Sequence, residues 1–148
     1  MRLVIGLGNE LLRDEGVGVH ACRALQARAL PPDSAVLEVG CAVLDALPAL
    51  QQAEALIVID AVKMGVEPGT VIKSRLGSCE CNAQIGSMHG FDLRRVLALA
   101  GREDIPDVVV LGVETAEIDW GLELSSPVAA ALPHVIEEVE RLLAVSQE

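Results

Sequence analysis

The chain has 148 residues, of which 51% are hydrophobic and only 1% are aromatic. This length fits a single domain spanning residues 1–148, with a core of aliphatic side chains large enough to need no disulfide or metal for stability. The formal net charge of −11, from 11 basic and 22 acidic residues, argues against a nucleic-acid partner, because a nucleic-acid backbone requires a basic surface.

The chain opens on a strand-like run, so no signal peptide is predicted. No apolar stretch reaches the roughly 20 residues that cross a bilayer. We therefore expect a cytoplasmic protein without a membrane partner, whose cysteines are reduced. Cys79 and Cys81 form one close pair, but a structural zinc site needs further ligands at paired spacing, so we interpret this pair as part of an ordinary loop.

Strand and helix signals alternate along the chain. Short runs rich in β-branched residues and bounded by turn residues predict five strands, at 2–7, 35–39, 55–60, 70–76 and 107–113. Apolar residues three and four positions apart predict helices between them: from an N-cap at Asp14 to Pro31, at 43–53, at 91–100 and at 126–145. The strand at 70–76 alternates polar and apolar residues, which is typical of an antiparallel strand at the edge of a sheet.

Two regions carry weaker signals. Residues 77–88 and 114–125 are polar and contain glycine, so we expect loops there. Ser126 and Pro127 are predicted to be the N-cap and first residue of the last helix, which we expect to continue despite Pro133.

This alternation predicts an α/β fold: a three-layer sandwich in which a twisted, mostly parallel five-stranded sheet carries helices on both faces. In such sheets ligands bind beyond the carboxyl ends of the strands. Acidic residues gather at those ends, where the strands lead to Asn9, Asp14, Glu15, Gly40, Cys41, Asp60, Glu114 and Thr115.

The segment GLGNELLRDEGVG at 6–18 resembles a phosphate-binding loop because it is rich in glycine. It lacks the third glycine of the dinucleotide-binding fingerprint, since Leu11 occupies that position, and it lacks the Gly-Lys-Ser/Thr of a P-loop. Glu15 would also repel a phosphate. A small nucleotide-binding domain is therefore a disfavoured hypothesis.

Familiar hydrolase nucleophiles are also disfavoured. Ser87 has Ile85 where a Gly-x-Ser-x-Gly motif needs glycine. Cys41 lies at the predicted ligand-binding edge, but no histidine is placed beside it by the sequence. We therefore expect Cys41 to be a small buried thiol.

Two carboxylates and one imidazole remain at the same edge: Glu15, Asp60 and His89. Such a set leaves coordination positions open and suits a borderline divalent cation. Each residue also has a plainer interpretation. Glu15 could match the dipole of the helix that follows it, and His89 could cap a helix. His20 and His134 fall within predicted helices, and we interpret both as structural or surface residues.

The chain resembles the hydrogenase maturation proteases, the endopeptidases that process the large subunit of nickel–iron hydrogenases. The resemblance rests on the glycine-rich segment at 6–18, on IDAVKMGVEPG at 59–69, on His89 at a helix start, and on LGVET and GLELS within 111–125. These motifs occur in order along almost the entire chain.

The resemblance implies that Glu15, Asp60 and His89 are the metal-recognition and catalytic residues of an aspartyl-type endopeptidase. Its substrate would be a hydrogenase large-subunit precursor, from which a C-terminal extension is removed after nickel insertion, with other maturation factors as further partners. The nickel would belong to the substrate and would not be a resident cofactor. Water would be activated either by a polarised carbonyl or by a carboxylate base.

One turn departs from the family pattern. Members usually carry Gly-Gly-Thr or Gly-Gly-Ser after the second strand, whereas this chain has Val39, Gly40 and Cys41. We expect a weaker side-chain hydrogen bond to substrate there. A non-catalytic metal-sensing chaperone of the same fold is the alternative to the protease hypothesis.

Overall fold

The computed structural model describes residues 1–75, 97–102, 104–105 and 107–145. Five strands form one sheet: β1 (Arg2–Leu7), β2 (Ser34–Gly40), β3 (Ala55–Val62), β4 (Val71–Arg75) and β5 (Asp107–Glu114). Their order in the sheet is β2-β1-β3-β5-β4. All neighbours are parallel except β4, which pairs with β5 in the antiparallel direction at the edge of the sheet. The predicted sheet is thereby confirmed.

Helices cover both faces of this sheet. Alternate side chains of β1 point to opposite sides, as strand geometry requires. Leu3, Ile5 and Leu7 pack with Leu50 of helix α2 (Leu47–Leu50). On the other face, Val4 belongs to a cluster that contains helix α1 (Val17–Gln26) and helix α3 (Ser126–Val145). The three-layer sandwich is therefore confirmed. None of the helices among the described residues is long and apolar enough to span a bilayer.

Several predicted boundaries differ from the structure. β3 continues two residues beyond Asp60, and the helix expected at 43–53 is a 3-10 turn, Val43–Ala46, followed by the short α2. Of the helix expected at 91–100, the described residues 97–99 are helical. The helix α3 runs through Pro133, as predicted.

The predicted N-cap at Asp14 is wrong. Asp14 lies in a 3-10 turn, Arg13–Gly16, and α1 begins at Val17. The carboxylate of Asp14 does not cap α1 because it is buried against the loop that precedes α3. The N-cap of α3 also shifts by one residue, since the Ser125 carbonyl accepts the hydrogen bond from Ala129 at 2.8 Å.

Glycines allow β1, α1 and β3 to approach closely. A Cβ atom added to Gly18 would lie 2.6 Å from the Leu7 carbonyl oxygen and also collide with the carbonyl oxygen of Ile59. Both obstacles are strand backbone, which cannot move aside without disturbing the sheet. The glycine-rich segment therefore serves close packing of α1 on the sheet.

Replacement of Gly18 by alanine is expected to lower the free energy of unfolding by about 2–3 kcal/mol, the upper range for overpacking. Chemical denaturation would measure this change. Gly65→Ala is the matched control because nothing lies within 4 Å of its added Cβ, and only its φ of +77° disfavours a side chain. We expect the control to lose about 1 kcal/mol. Equal losses in both variants would contradict the packing role of Gly18.

Candidate active site

The carboxyl ends of β1, β2 and β3 lie together at one end of the sheet, because all three strands are parallel. The chain leaves β1 at Gly8, whose φ of +105° is in the region that favours glycine. The Gly8 N–H donates to the Gly40 carbonyl at 3.1 Å, which joins the turns after β1 and β2. The backbone thus forms a connected rim on which the polar residues stand.

Glu15 and Asp60 both lie close to Gly8. A Cβ atom added to Gly8 would collide with the Glu15 carbonyl oxygen and would lie 3.5 Å from Oδ1 of Asp60. Glu15 is half-buried, and its Oε1 accepts a hydrogen bond from the Asn9 N–H at 3.4 Å. Asp60 is 2% exposed, and its Oδ1 accepts from the Ala61 N–H at 2.8 Å. The structure therefore brings these two predicted site residues to the same rim.

His89, the third predicted site residue, lies outside the described residues, as do Cys79 and Cys81. Within the described ranges, no three His, Cys, Asp or Glu side chains are grouped so that they could hold a metal ion. A site made from Glu15 and Asp60 therefore requires a further ligand, from elsewhere in the chain or from a substrate.

Cys41 is exposed, so the expectation of a buried thiol is wrong. Gly40 has a φ of +62° and turns the chain away from the sheet at the end of an edge strand, which leaves Cys41 at the rim. Partial burial and the negative charges of Glu15 and Asp60 raise the pKa of the Cys41 thiol. The thiol is therefore protonated at neutral pH, which disfavours a role as the nucleophile.

Asp14 anchors the turn that carries Glu15. Its carboxylate is fully buried and accepts four hydrogen bonds at 2.7–2.9 Å, from the N–H groups of Ala116, Glu117 and Ser125 and from the Ser125 hydroxyl. Burial raises the pKa of Asp14, but these hydrogen bonds together outweigh burial and hold the pKa below its ordinary value. A buried carboxylate can remain ionised when it accepts several backbone N–H bonds.

A second buried carboxylate, Glu114, holds the loop after β3. It is 4% exposed and accepts hydrogen bonds from the N–H groups of Met64, Gly65 and Val66 at 2.7–3.1 Å. The sequence places Asp14 and Glu114 at the rim but does not reveal their anchoring roles, because the donors lie about 50 to 110 positions away in the chain.

An open cavity of about 390 Å³ extends from the rim along the turns after β1 and β2. Gly8, Asn9, Leu11, Gly40 and Cys41 contribute to its lining. Since the turns at Gly8 and Gly40 present main chain without side chains, an extended peptide could approach the backbone there. The cavity is suited to a segment of another polypeptide.

The two histidines that the structure describes do not line this cavity. His134 is exposed on α3, and the half-buried His20 on α1 lies with Nε2 3.2 Å from the Leu122 carbonyl oxygen. These positions are consistent with structural or surface roles for both.

The chain matches a model of the hydrogenase maturation protease family over residues 19–142. It belongs to that family. The hydrogenase expression/formation protein HupD of Rhodobacter capsulatus is 35% identical over 147 residues, which cover 95% of this chain and 70% of that protein. The HupD protein of Rhizobium leguminosarum bv. viciae is 33% identical, with 95% and 73% covered.

Solved structures agree with this family assignment. The hydrogenase maturating endopeptidase HybD from E. coli superposes with a TM-score of 0.85 at 28% identity, covering 99% of this chain and 94% of that one. The [NiFe] hydrogenase maturation protease HybD from Thermococcus kodakarensis gives a TM-score of 0.77 at 30% identity, with 97% and 99% covered. The present chain is thus an endopeptidase of the hydrogenase maturation family, and both the predicted fold and the predicted enzyme class are confirmed.

Proposed function

We propose that this protease removes a C-terminal extension from the nickel-loaded precursor of a nickel–iron hydrogenase large subunit, and that it recognises the nickel carried by that precursor. The observation that carries the proposal is the placement of two carboxylates at the turn after β1: Oε1 of Glu15 accepts a hydrogen bond from the Asn9 N–H, and Oδ1 of Asp60 lies near Gly8. Family membership supplies the reaction class.

The chemistry of the donors supports nickel recognition on a substrate over storage of a free ion. Glu15 and Asp60, with His89 as the proposed third ligand, would offer two oxygens and one nitrogen. Without a thiolate, such a set binds free nickel weakly and leaves coordination positions open. It could complete the coordination of a nickel ion already held by the precursor. The scissile bond would then be positioned only after nickel insertion, which is catalysis by proximity.

The environment of the two carboxylates is suited to this task. Asp60 is buried near the carboxyl end of a strand whose neighbours on both sides are parallel strands, so its position is rigid. Glu15 is on a turn anchored by Asp14 and is more accessible. The pair therefore combines a fixed, buried carboxylate with one that a substrate can reach more easily.

The test is a cleavage assay with purified precursor, with and without nickel. We expect mass spectrometry to show loss of the C-terminal extension only in the nickel-loaded precursor. Cleavage of both forms would contradict nickel recognition. Binding to the nickel-loaded precursor without any loss of mass would instead support a metal-sensing chaperone, and absence of both binding and cleavage would contradict the whole proposal.

A further inference from the structure

Three large apolar side chains are exposed close to the candidate active site. Leu11, Trp120 and Leu122 are 50%, 76% and 61% exposed, respectively. Trp120 is the single tryptophan in a chain whose aromatic content is 1%. Exposed apolar groups that cluster beside a functional site are typical of a protein–protein interface. We call these three residues the Trp120 patch.

Main-chain hydrogen bonds hold the patch together. Gly121, between Trp120 and Leu122, donates its N–H to the Leu11 carbonyl at 2.9 Å and accepts from the Arg13 N–H at 2.9 Å. Leu12 and Gly121 form a parallel β-bridge. The loop that carries Trp120 is therefore fixed against the turn that follows β1. A surface held in place in this way loses little conformational entropy when a partner binds.

The patch is continuous with the candidate active site. Leu11 lines the open cavity together with Gly8 and Cys41. The loop before α3 is also joined to Asp14 through the N–H groups of Ala116 and Glu117 at 2.9 and 2.8 Å. Asp14 directly precedes Glu15. A protein that occupies the cavity would therefore contact Leu11, which a main-chain hydrogen bond joins to the loop that carries Trp120.

We propose that the Trp120 patch is the docking surface for the large-subunit precursor, an inference that rests on the proposed function. Tryptophan is enriched among the residues that dominate binding energy at interfaces. The exposed acids Asp119 and Glu123 flank the patch in a chain of net charge −11, while Glu117 is paired with Arg13. The complementary surface of the precursor is therefore apolar at its centre and rich in lysine or arginine around it.

Binding can be observed separately from cleavage because Trp120 is the only tryptophan. Incorporation of 5-fluorotryptophan gives a protein with one fluorine resonance. We expect unlabelled nickel-loaded precursor to shift or broaden that resonance at stoichiometric concentrations, while the protein alone gives a resonance independent of its own concentration. An unchanged resonance with bound precursor would overturn the proposal. A resonance that changes with protein concentration alone would assign the patch to a second copy of this chain, which would also overturn it.

The kinetic test is Trp120→Ala in the cleavage assay with nickel-loaded precursor. We expect kcat/KM to fall about tenfold or more through a higher KM, with kcat nearly unchanged, because the variant loses binding and not chemistry. Val145→Ser is the matched control. Val145 is also exposed, at 63%, but it lines a different cavity together with Arg2 and Ala55, at the amino ends of β1 and β3. We expect the control to cleave like the wild type.

The two proposals fail in different ways. If the wild type cleaves nickel-loaded precursor and Trp120→Ala does so with the same kcat/KM, the docking proposal is wrong and the proposed function stands. If the wild type does not cleave the precursor, the proposed function is wrong, and the fluorine resonance still tests whether the patch binds it.

Discussion

Replacement of Asp60 by asparagine is expected to abolish processing of the nickel-loaded precursor while the protein stays folded. Asparagine has nearly the same shape but carries no negative charge and cannot accept a proton as a carboxylate does. Under the proposed function Asp60 would bind the substrate's nickel or act as a base, and in either case we expect the rate to fall about 10²–10⁴-fold, the range for loss of such a group. Single-turnover cleavage followed by mass spectrometry would measure this rate.

The fold should tolerate this change. Asp60 is 2% exposed, and burial of a carboxylate is costly, so removal of its charge should leave the melting temperature unchanged or slightly higher. Asp107→Asn is the matched control. Asp107 is the first residue of the neighbouring strand β5, at the end of the sheet opposite to the candidate site, where it pairs with Arg75. We expect the control to cleave at the wild-type rate. A folded Asp60→Asn variant with full activity would remove Asp60 from the mechanism.

Replacement of Asp14 by asparagine is expected to have the largest effect on stability. The amide would place an NH₂ group among the three N–H groups and the hydroxyl that now donate to the carboxylate. Buried donors without an acceptor cost about 1–3 kcal/mol each, and more for a charged acceptor. We therefore expect a loss of at least about 3 kcal/mol, which corresponds to a melting temperature lower by roughly 6–12 °C in a domain of this size.

The pH dependence gives this prediction a specific signature. The folded state lowers the pKa of Asp14, so the stabilisation by its charge is fully present above the unfolded pKa near about 3.9. It is lost as the pH falls through the lower, folded-state value. The difference in unfolding free energy between wild type and Asp14→Asn should therefore be constant near neutral pH and shrink only below about pH 4.

Urea denaturation at a series of pH values would measure that difference. Asp45→Asn is the matched control, because Asp45 also lies in a 3-10 turn but is exposed. We expect the control to change stability by less than about 0.5 kcal/mol. A difference between wild type and Asp14→Asn that persists unchanged to pH 3 would show that the charge of Asp14 does not stabilise the fold. At temperatures where the Asp14→Asn variant is still folded, its activity should also be lower than that of the wild type, because the turn that holds residue 14 carries Glu15.

Much of the fold could be predicted from local patterns. The predicted strand at 55–60 is apolar up to Ile59 because β3 is buried on both faces, and the alternation at 70–76 corresponds to the half-exposed antiparallel strand β4. Once five strands alternate with helices, the rule that parallel strands present their carboxyl ends at one edge is enough to place Glu15 and Asp60 on the same rim. The boundaries of the short helix α2 were predicted less well, because a 3-10 turn and an α-turn share similar apolar spacing.

The sequence by itself determined the class of fold and the family resemblance, and it predicted the end of the sheet at which the candidate site lies, because these depend on hydrophobic periodicity and on residues close together in the chain. Only the tertiary structure decided the surroundings of Asp14, Cys41 and Trp120. Asp14 is an anchor and not a helix cap, because its hydrogen-bond donors are more than 100 residues away. Cys41 is an exposed thiol beside two carboxylates. Trp120 is held next to Leu11 by a β-bridge between distant segments. Contacts between distant segments form only when the whole chain packs, so no local sequence pattern predicts them.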